Sequence, residues 1–266
     1  MSTQTTTHLS SPLDNKTNLL FVAIGGFFVA NAIIAEFIGV KVFSLEKTFG
    51  FEPLAFPLWG MIISLNLTAG ALLWPLEFAI SDVINEYFGR RGVKILTYIT
   101  ILFIGYAFLM VILTMQLAPV DFWIMRQTEY GPINMEAAFN TIFGQGLWII
   151  IGSLIAFLVG QLIDVAIFYQ VKRYTGEKYL WLRATGSTLV SQLVDSFIVL
   201  LIAFYFNPAT QWDLYQVIIL GIVKYMYKVV MAVALTPLIY LLHKIIDDYL
   251  GQELATEMKK QAMQHK

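Results

Sequence analysis

The sequence predicts an all-α integral membrane protein, a bundle of six transmembrane helices, and three observations predict it. Of 266 residues, 58% are hydrophobic and 13% charged, against about a quarter charged in a soluble domain; mean hydropathy is +0.70. The apolar residues come in runs long enough to cross a bilayer, which takes about 20 residues per helix. The cations, finally, gather in alternate connections between those runs. A formal net charge of −1, with no basic cluster interleaved with aromatics, argues against a nucleic-acid surface. The absence of cysteine excludes disulfides, iron–sulfur clusters and cysteine-based zinc sites.

Taken in order, Met1–Asn18 is polar and Ser/Thr-rich, without the apolar core and cleavage site of a signal peptide, and reads as a disordered tail. The transmembrane domain occupies residues 19–247. Its six spans are roughly Leu19–Val42, Ser64–Phe88, Ile95–Leu117, Leu147–Phe168, Thr185–Phe206 and Tyr215–Leu242. Gly89 can cap the second, Pro119 follows the third, and Asn207-Pro208 closes the fifth. Phe51–Ile63 is apolar but holds two prolines and is too short to span; it reads as an interfacial or re-entrant lead-in to span two. In the long loop after span three, NMEAAFNTIF has the pattern of a short amphipathic surface helix. Residues 248–266 form a charged tail expected to add little to function.

Loop charge supports this count. Arg90, Arg91 and Lys94 follow span two; Lys172, Arg173, Lys178 and Arg183 follow span four; Lys244, Lys259, Lys260 and Lys266 follow span six. Six spans put all of these on one side, cytoplasmic by the positive-inside rule, with both termini there. Trp148 and Trp212 then fall in the outer aromatic belt, whereas Trp74 lies mid-span beside Pro75.

Ionisable residues inside a span cost at least ~2.5–3.5 kcal/mol each, so they mark functional sites by default. Span one has Asn31 and Glu36, and span two has Glu77, Asp82, Asn85 and Glu86. Span four has Gln161 and Asp164, span five Gln192 and Asp195, and span six Lys224 and Lys228. Gly152, Ala156, Gly160 and Asp164 share one helix stripe, where small residues let backbones approach. That seam could serve the bundle interior or a homodimer. Asp82, Asp164 and Asp195 fall in the inner half of the membrane, which predicts a cavity on the cytoplasmic side. Trp74 and Phe78 lie on the same face as Asp82 and could clamp a flat, polar heterocycle. Each residue also has a plainer reading. Asp195 with Lys228 could be a buried ion pair, Asn31 or Gln161 interhelical glue, and Glu86 a water-facing partner of Arg90.

Catalytic signatures are missing. There is no phosphate loop of the P-loop type and no HExxH, and none of the three histidines lies in a span. Asp164 and Asp195 lack the glycines that open an intramembrane aspartyl-protease site, and no serine stands out as a nucleophile for Lys224 or Lys228. No cofactor or metal is expected. Transport is the stronger class and an intramembrane enzyme the weaker one; the partners expected are lipid and a small, polar, planar substrate, which the resemblance given next makes purine-like.

The segments WPLEFAISDVINEYFGRRGVK, GSLIAFLVGQLIDVAIFYQVKR, LRATGSTLVSQLVDSFIVLLIAF and VKYMYKVVMAVALTPLIYLL resemble the queuosine precursor transporter family, also called the vitamin uptake transporter family. The resemblance implies a six-helix inner-membrane importer of 7-deazaguanine precursors such as preQ0 or preQ1. It also implies a likeness to the substrate-binding subunits of energy-coupling-factor transporters, which need an ATPase partner. By motif position it singles out Asp82, Glu86, Gln161, Asp164, Gln192, Asp195 and Lys228 as substrate-binding. The expectation is therefore a secondary carrier or facilitator, with a binding subunit driven by a separate ATP-driven module as the rival.

Overall fold

The computed structural model describes residues 15–264 except 54–55, 59–60, 64–65, 145 and 177, so most of the expected N-terminal tail lies outside the described residues. The protein is a mostly helical integral membrane protein, with five helices among the described residues long and apolar enough to cross a membrane. Helix α1 (Lys16–Ile38) starts on Asn15, whose side chain accepts from the Thr17 amide at 2.9 Å. Strand β1 (Val42–Ser44) and the one-turn helix α2 (Leu45–Thr48) follow. The lead-in then makes the hairpin β2 (Phe56–Leu58) with β3 (Met61–Ile63), and β4 (Asn66–Thr68) pairs back on β1. Pro57 fits such a two-stranded hairpin, where an edge position tolerates a missing N–H.

The expected second span is corrected here. Its helix begins only at Trp74, because residues before it form β4 and a 3₁₀ turn (Ala69–Leu72). Pro75 explains the start: in a first helical turn its absent N–H costs nothing and its φ is already helical. The prefix is wedged against α1, since a Cβ on Gly70 would lie 2.4 Å from the Ala35 carbonyl oxygen. Asn31 donates to the Leu73 carbonyl at 3.3 Å, supplying a partner where irregular backbone runs at membrane depth.

Helix α3 (Trp74–Thr114) is broken at Gly89, whose φ of 68° and ψ of −174° leave the helical region. Its two limbs run along α1 in opposite senses. Glu77 meets Asn31 and Phe88 meets Phe21, whereas on the second limb Phe108 meets Phe37. The chain therefore turns back at Gly89. Around Phe28, residues Ile80, Ile84, Val93, Leu96, Phe157 and Val165 form the central core.

The following connection holds α4 (Asp121–Ile124), the hairpin β5 (Met125–Thr128) and β6 (Gly131–Asn134), and α5 (Met135–Phe143), the helix expected from NMEAAFNTIF. Helix α6 (Leu147–Thr175) then packs along α7 (Leu180–Leu200), which continues through a π turn to Tyr205. The small-residue seam faces α7. A Cβ on Gly152 would lie 3.3 Å from the Val199 carbonyl oxygen, and one on Gly160 would lie 3.5 Å from Asp195 Cβ. Helix α8 (Leu214–Ala234) opens with a capping box between Asp213 and Gln216. The expected sixth span breaks at Leu235, because Pro237 opens a separate helix α9 (Thr236–Leu250). After Gly251 the charged segment forms α10 (Gln252–Gln264), whose Ala255 and Met258 pack with Val83, Tyr87, Ile246 and Leu250.

Candidate functional site

The first limb of α3 is the hub of the polar interior. Each of its turns sends a polar side chain to a different neighbour. Glu77 accepts from Asn31 of α1 at 2.8 Å, and Ser81 donates to Gln161 Oε1 of α6 at 2.7 Å. Thr188 of α7 donates to Asp82 Oδ2 across 3.5 Å, and Tyr87 donates to Asp247 of α9 at 2.8 Å. Glu86 is sealed: its carboxylate is 2.9 Å from Lys172 Nζ and 2.9 Å from Arg183 Nη2, and all three side chains are at most 3% exposed. The plainer reading of Glu86, as a water-facing partner of Arg90, does not hold. Arg90 lies instead over the Tyr169 ring, 5.0 Å from its centroid. Arg183 takes the place Arg90 was given because α7, packed along α6, carries its guanidinium into the buried end of the hub, where Nε and Nη2 donate to Glu86.

A cavity of about 590 Å³ opens between α1, the first limb of α3, α6, α7 and α8. Its floor is made by buried Ala79, Asp82, Thr185 and Ile239. Toward the mouth it reaches exposed Val42, Asn66, Thr68, Thr141 and Ile142, all from connections at the end opposite Gly89 and Lys172. Asp82 therefore lies in its floor, and it opens away from the end that carries Gly89 and Lys172. The late start of the α3 helix is the reason, since the space a full span would fill is left to the lead-in.

Several predicted residues meet there. Trp74, Phe78, Asp82, Gln192, Asp195, Lys228, Glu36 and Lys224 all line the cavity. Lys228 is ion-paired with Asp195, each about a fifth exposed. Ser153 donates to Glu36 at 3.0 Å. Asp82 Oδ1 and Gln192 Nε2 are buried without a hydrogen-bond partner among the described residues. Trp74 leans on Phe157 with centroids 5.5 Å apart, and Phe78 is 3% exposed, so both rings are packed into the cavity wall.

Other predicted residues lie behind that wall. Asp164 accepts from Ser191 at 3.2 Å and sits within electrostatic reach of Asp82, while its Oδ2 has no partner. Gln161, Glu86, Asn31 and Asn85 do not line the cavity. Sequence reasoning missed Thr188, Ser153 and Tyr227, which do. Hydroxyl groups carry little signal against an apolar run; only the i, i+4 spacing of Thr188 to Gln192 marked that face of α7.

Residues 68–242 match the family profile described as "Putative vitamin uptake transporter". A Bacillus subtilis (strain 168) protein described as "Probable queuosine precursor transporter" is 31% identical over 153 residues, 57% of this chain. The match spans 62% of that relative, less than two thirds of its length. No solved structure matches significantly.

Proposed function

The chain belongs to the vitamin uptake transporter family, and on that premise we propose that it imports a 7-deazaguanine precursor of queuosine, such as preQ0 or preQ1, across the inner membrane as a secondary carrier or facilitator. One observation carries this reading: an unpartnered carboxylate oxygen of Asp82 and an unpartnered amide nitrogen of Gln192 at the closed end of an aromatic-walled cavity. Buried polar atoms left unsatisfied are costly unless a ligand completes them. A 7-deazaguanine offers an N1–H and a 2-amino group to Asp82, a 6-oxo group to Gln192, and flat faces to Trp74, Phe78 and Tyr227. Donors and acceptors then match, and the heterocycle replaces the missing partners.

The proposed topology counts the two limbs of α3 separately, giving six membrane-crossing segments with both termini cytoplasmic. Lys172, Arg183 and the Gly89 turn lie on that side by the positive-inside rule. With that orientation the cavity opens outward and the Glu86 cluster closes its inner end, the geometry of an importer awaiting substrate. Non-helical backbone beside a cavity at membrane depth is also how discontinuous transporter helices are used. Asp164, behind Asp82 with one free oxygen, is the proposed proton carrier if uptake is coupled to a gradient.

Uptake of labelled preQ0 and preQ1 by cells lacking their own importer and biosynthesis tests the reading. Uptake driven by this protein alone supports a carrier. Binding without uptake points instead to a subunit that needs an energising partner, and no binding of either compound overturns the substrate assignment.

A further inference from the structure

Two lysines one turn apart on α8, Lys224 and Lys228, line the same cavity in unequal surroundings. Lys228 is neutralised by Asp195. Lys224 makes no hydrogen bond or ion pair with any described residue, and Asp195, the carboxylate within its electrostatic reach, is already engaged. Helices α7 and α8 run antiparallel, because Thr185 meets Thr236 while Asp195 meets Lys228. Lys224 therefore lies a turn nearer the mouth than the ion pair, with Gln192 and Asp82 on the floor side of it. On the facing wall Glu36 is already hydrogen-bonded by Ser153.

An ammonium without an anion at membrane depth is costly. A ligand that brings an electron-rich acceptor relieves that cost, and a ligand that brings a second cation adds repulsion. We infer that Lys224 selects the ligand by its substituent: it favours a hydrogen-bond acceptor such as a nitrile at the mouth-side end of the heterocycle and disfavours an ammonium there. This rests on the reading of the cavity as a 7-deazaguanine site. With the amino edge held at Asp82 and Gln192, the five-membered ring and its 7-substituent point toward α8.

The test titrates the purified protein in detergent with unsubstituted 7-deazaguanine, its 7-cyano derivative and its 7-aminomethyl derivative. The wild-type protein is expected to bind the nitrile about tenfold or more tightly than the aminomethyl compound at neutral pH. Lys224→Met brings the nitrile down to the level of the unsubstituted ring. Lys224→Glu inverts the preference, which a general folding defect cannot do, since it weakens all three alike. A wild-type preference for the aminomethyl compound would assign the choice to Glu36 and overturn the inference. So would a preference unchanged in both variants, and in either case binding of all three leaves the 7-deazaguanine reading intact. If the wild-type protein binds none of them, that reading falls and this inference with it.

Discussion

Around Glu86, three charges from three helices are shut away from solvent and each has a partner: Lys172 and Arg183 share the carboxylate, and Arg183 also donates to the Gly176 carbonyl at 2.9 Å. One turn along the same limb of α3, around Asp82, the pairing is incomplete. Asp82, Asp164 and Gln192 each keep an atom without a partner among the described residues, and Lys224 makes no hydrogen bond or ion pair with any of them. Both regions are polar, and both would be expensive in lipid. They differ in what completes them. On the proposed reading, a fully paired cluster holds helices together, whereas a half-paired one beside a cavity is left for a ligand to finish.

The sharpest way to break this contrast is Glu86→Gln. It leaves two buried cations facing one neutral amide, and removing one partner of a buried pair costs about 3–5 kcal/mol. Thermal unfolding in detergent should fall clearly; an unchanged midpoint would mean the cluster does not hold the bundle. Asp82→Asn should act in reverse, leaving the unfolding midpoint nearly in place while ligand affinity drops about 10–100-fold, the worth of a charge-assisted hydrogen bond. Isothermal titration reads the affinity, and full-strength binding by this variant would remove Asp82 from the site. Smaller again is Asp195→Asn. Its pair with Lys228 opens onto the cavity and is about a fifth exposed, so the lone ammonium stays partly hydrated and the loss of stability should be below that of Glu86→Gln, measured by the same melting curves. The smallest effect is expected from Lys259→Ala, which loses a partly exposed pair with Asp247 worth less than about 1 kcal/mol. A large loss of uptake in that variant would show that α10 has a role beyond packing.

Much of this was legible in the residues. Acids inside apolar runs are rare enough that Asp82, Asp195 and Glu36, all of which line the cavity, stood out. What the residues could not tell was which acid is sealed and which is open. Glu86 depends on Arg183, far away in sequence, and Lys172 and Arg183 had the composition of ordinary loop cations. Pro75 was ambiguous for a local reason, since proline suits a first helical turn as well as a kink. Lys224 and Lys228 are equivalent by spacing; only the position of Asp195 separates them. The charged C-terminal segment looked like a solvated tail because α10 has few apolar residues, and those few, Ala255 and Met258 among them, are the ones it buries.

The turn at Gly89 also bears on how the chain enters the membrane during synthesis. The limb ahead of it, 74–88, is short and carries Glu77, Asp82 and Glu86, each charged as about 2.5–3.5 kcal/mol against insertion on its own. The limb behind it, 90–114, is apolar through most of its length. The reversal joins them into a helical hairpin, so that the second limb can carry the first into the bilayer as one unit. A nascent chain that has not yet emerged past the second limb has no favourable way to place those acids. On the proposed topology, the polar limb is expected to enter the membrane only once the residues that follow it have been made.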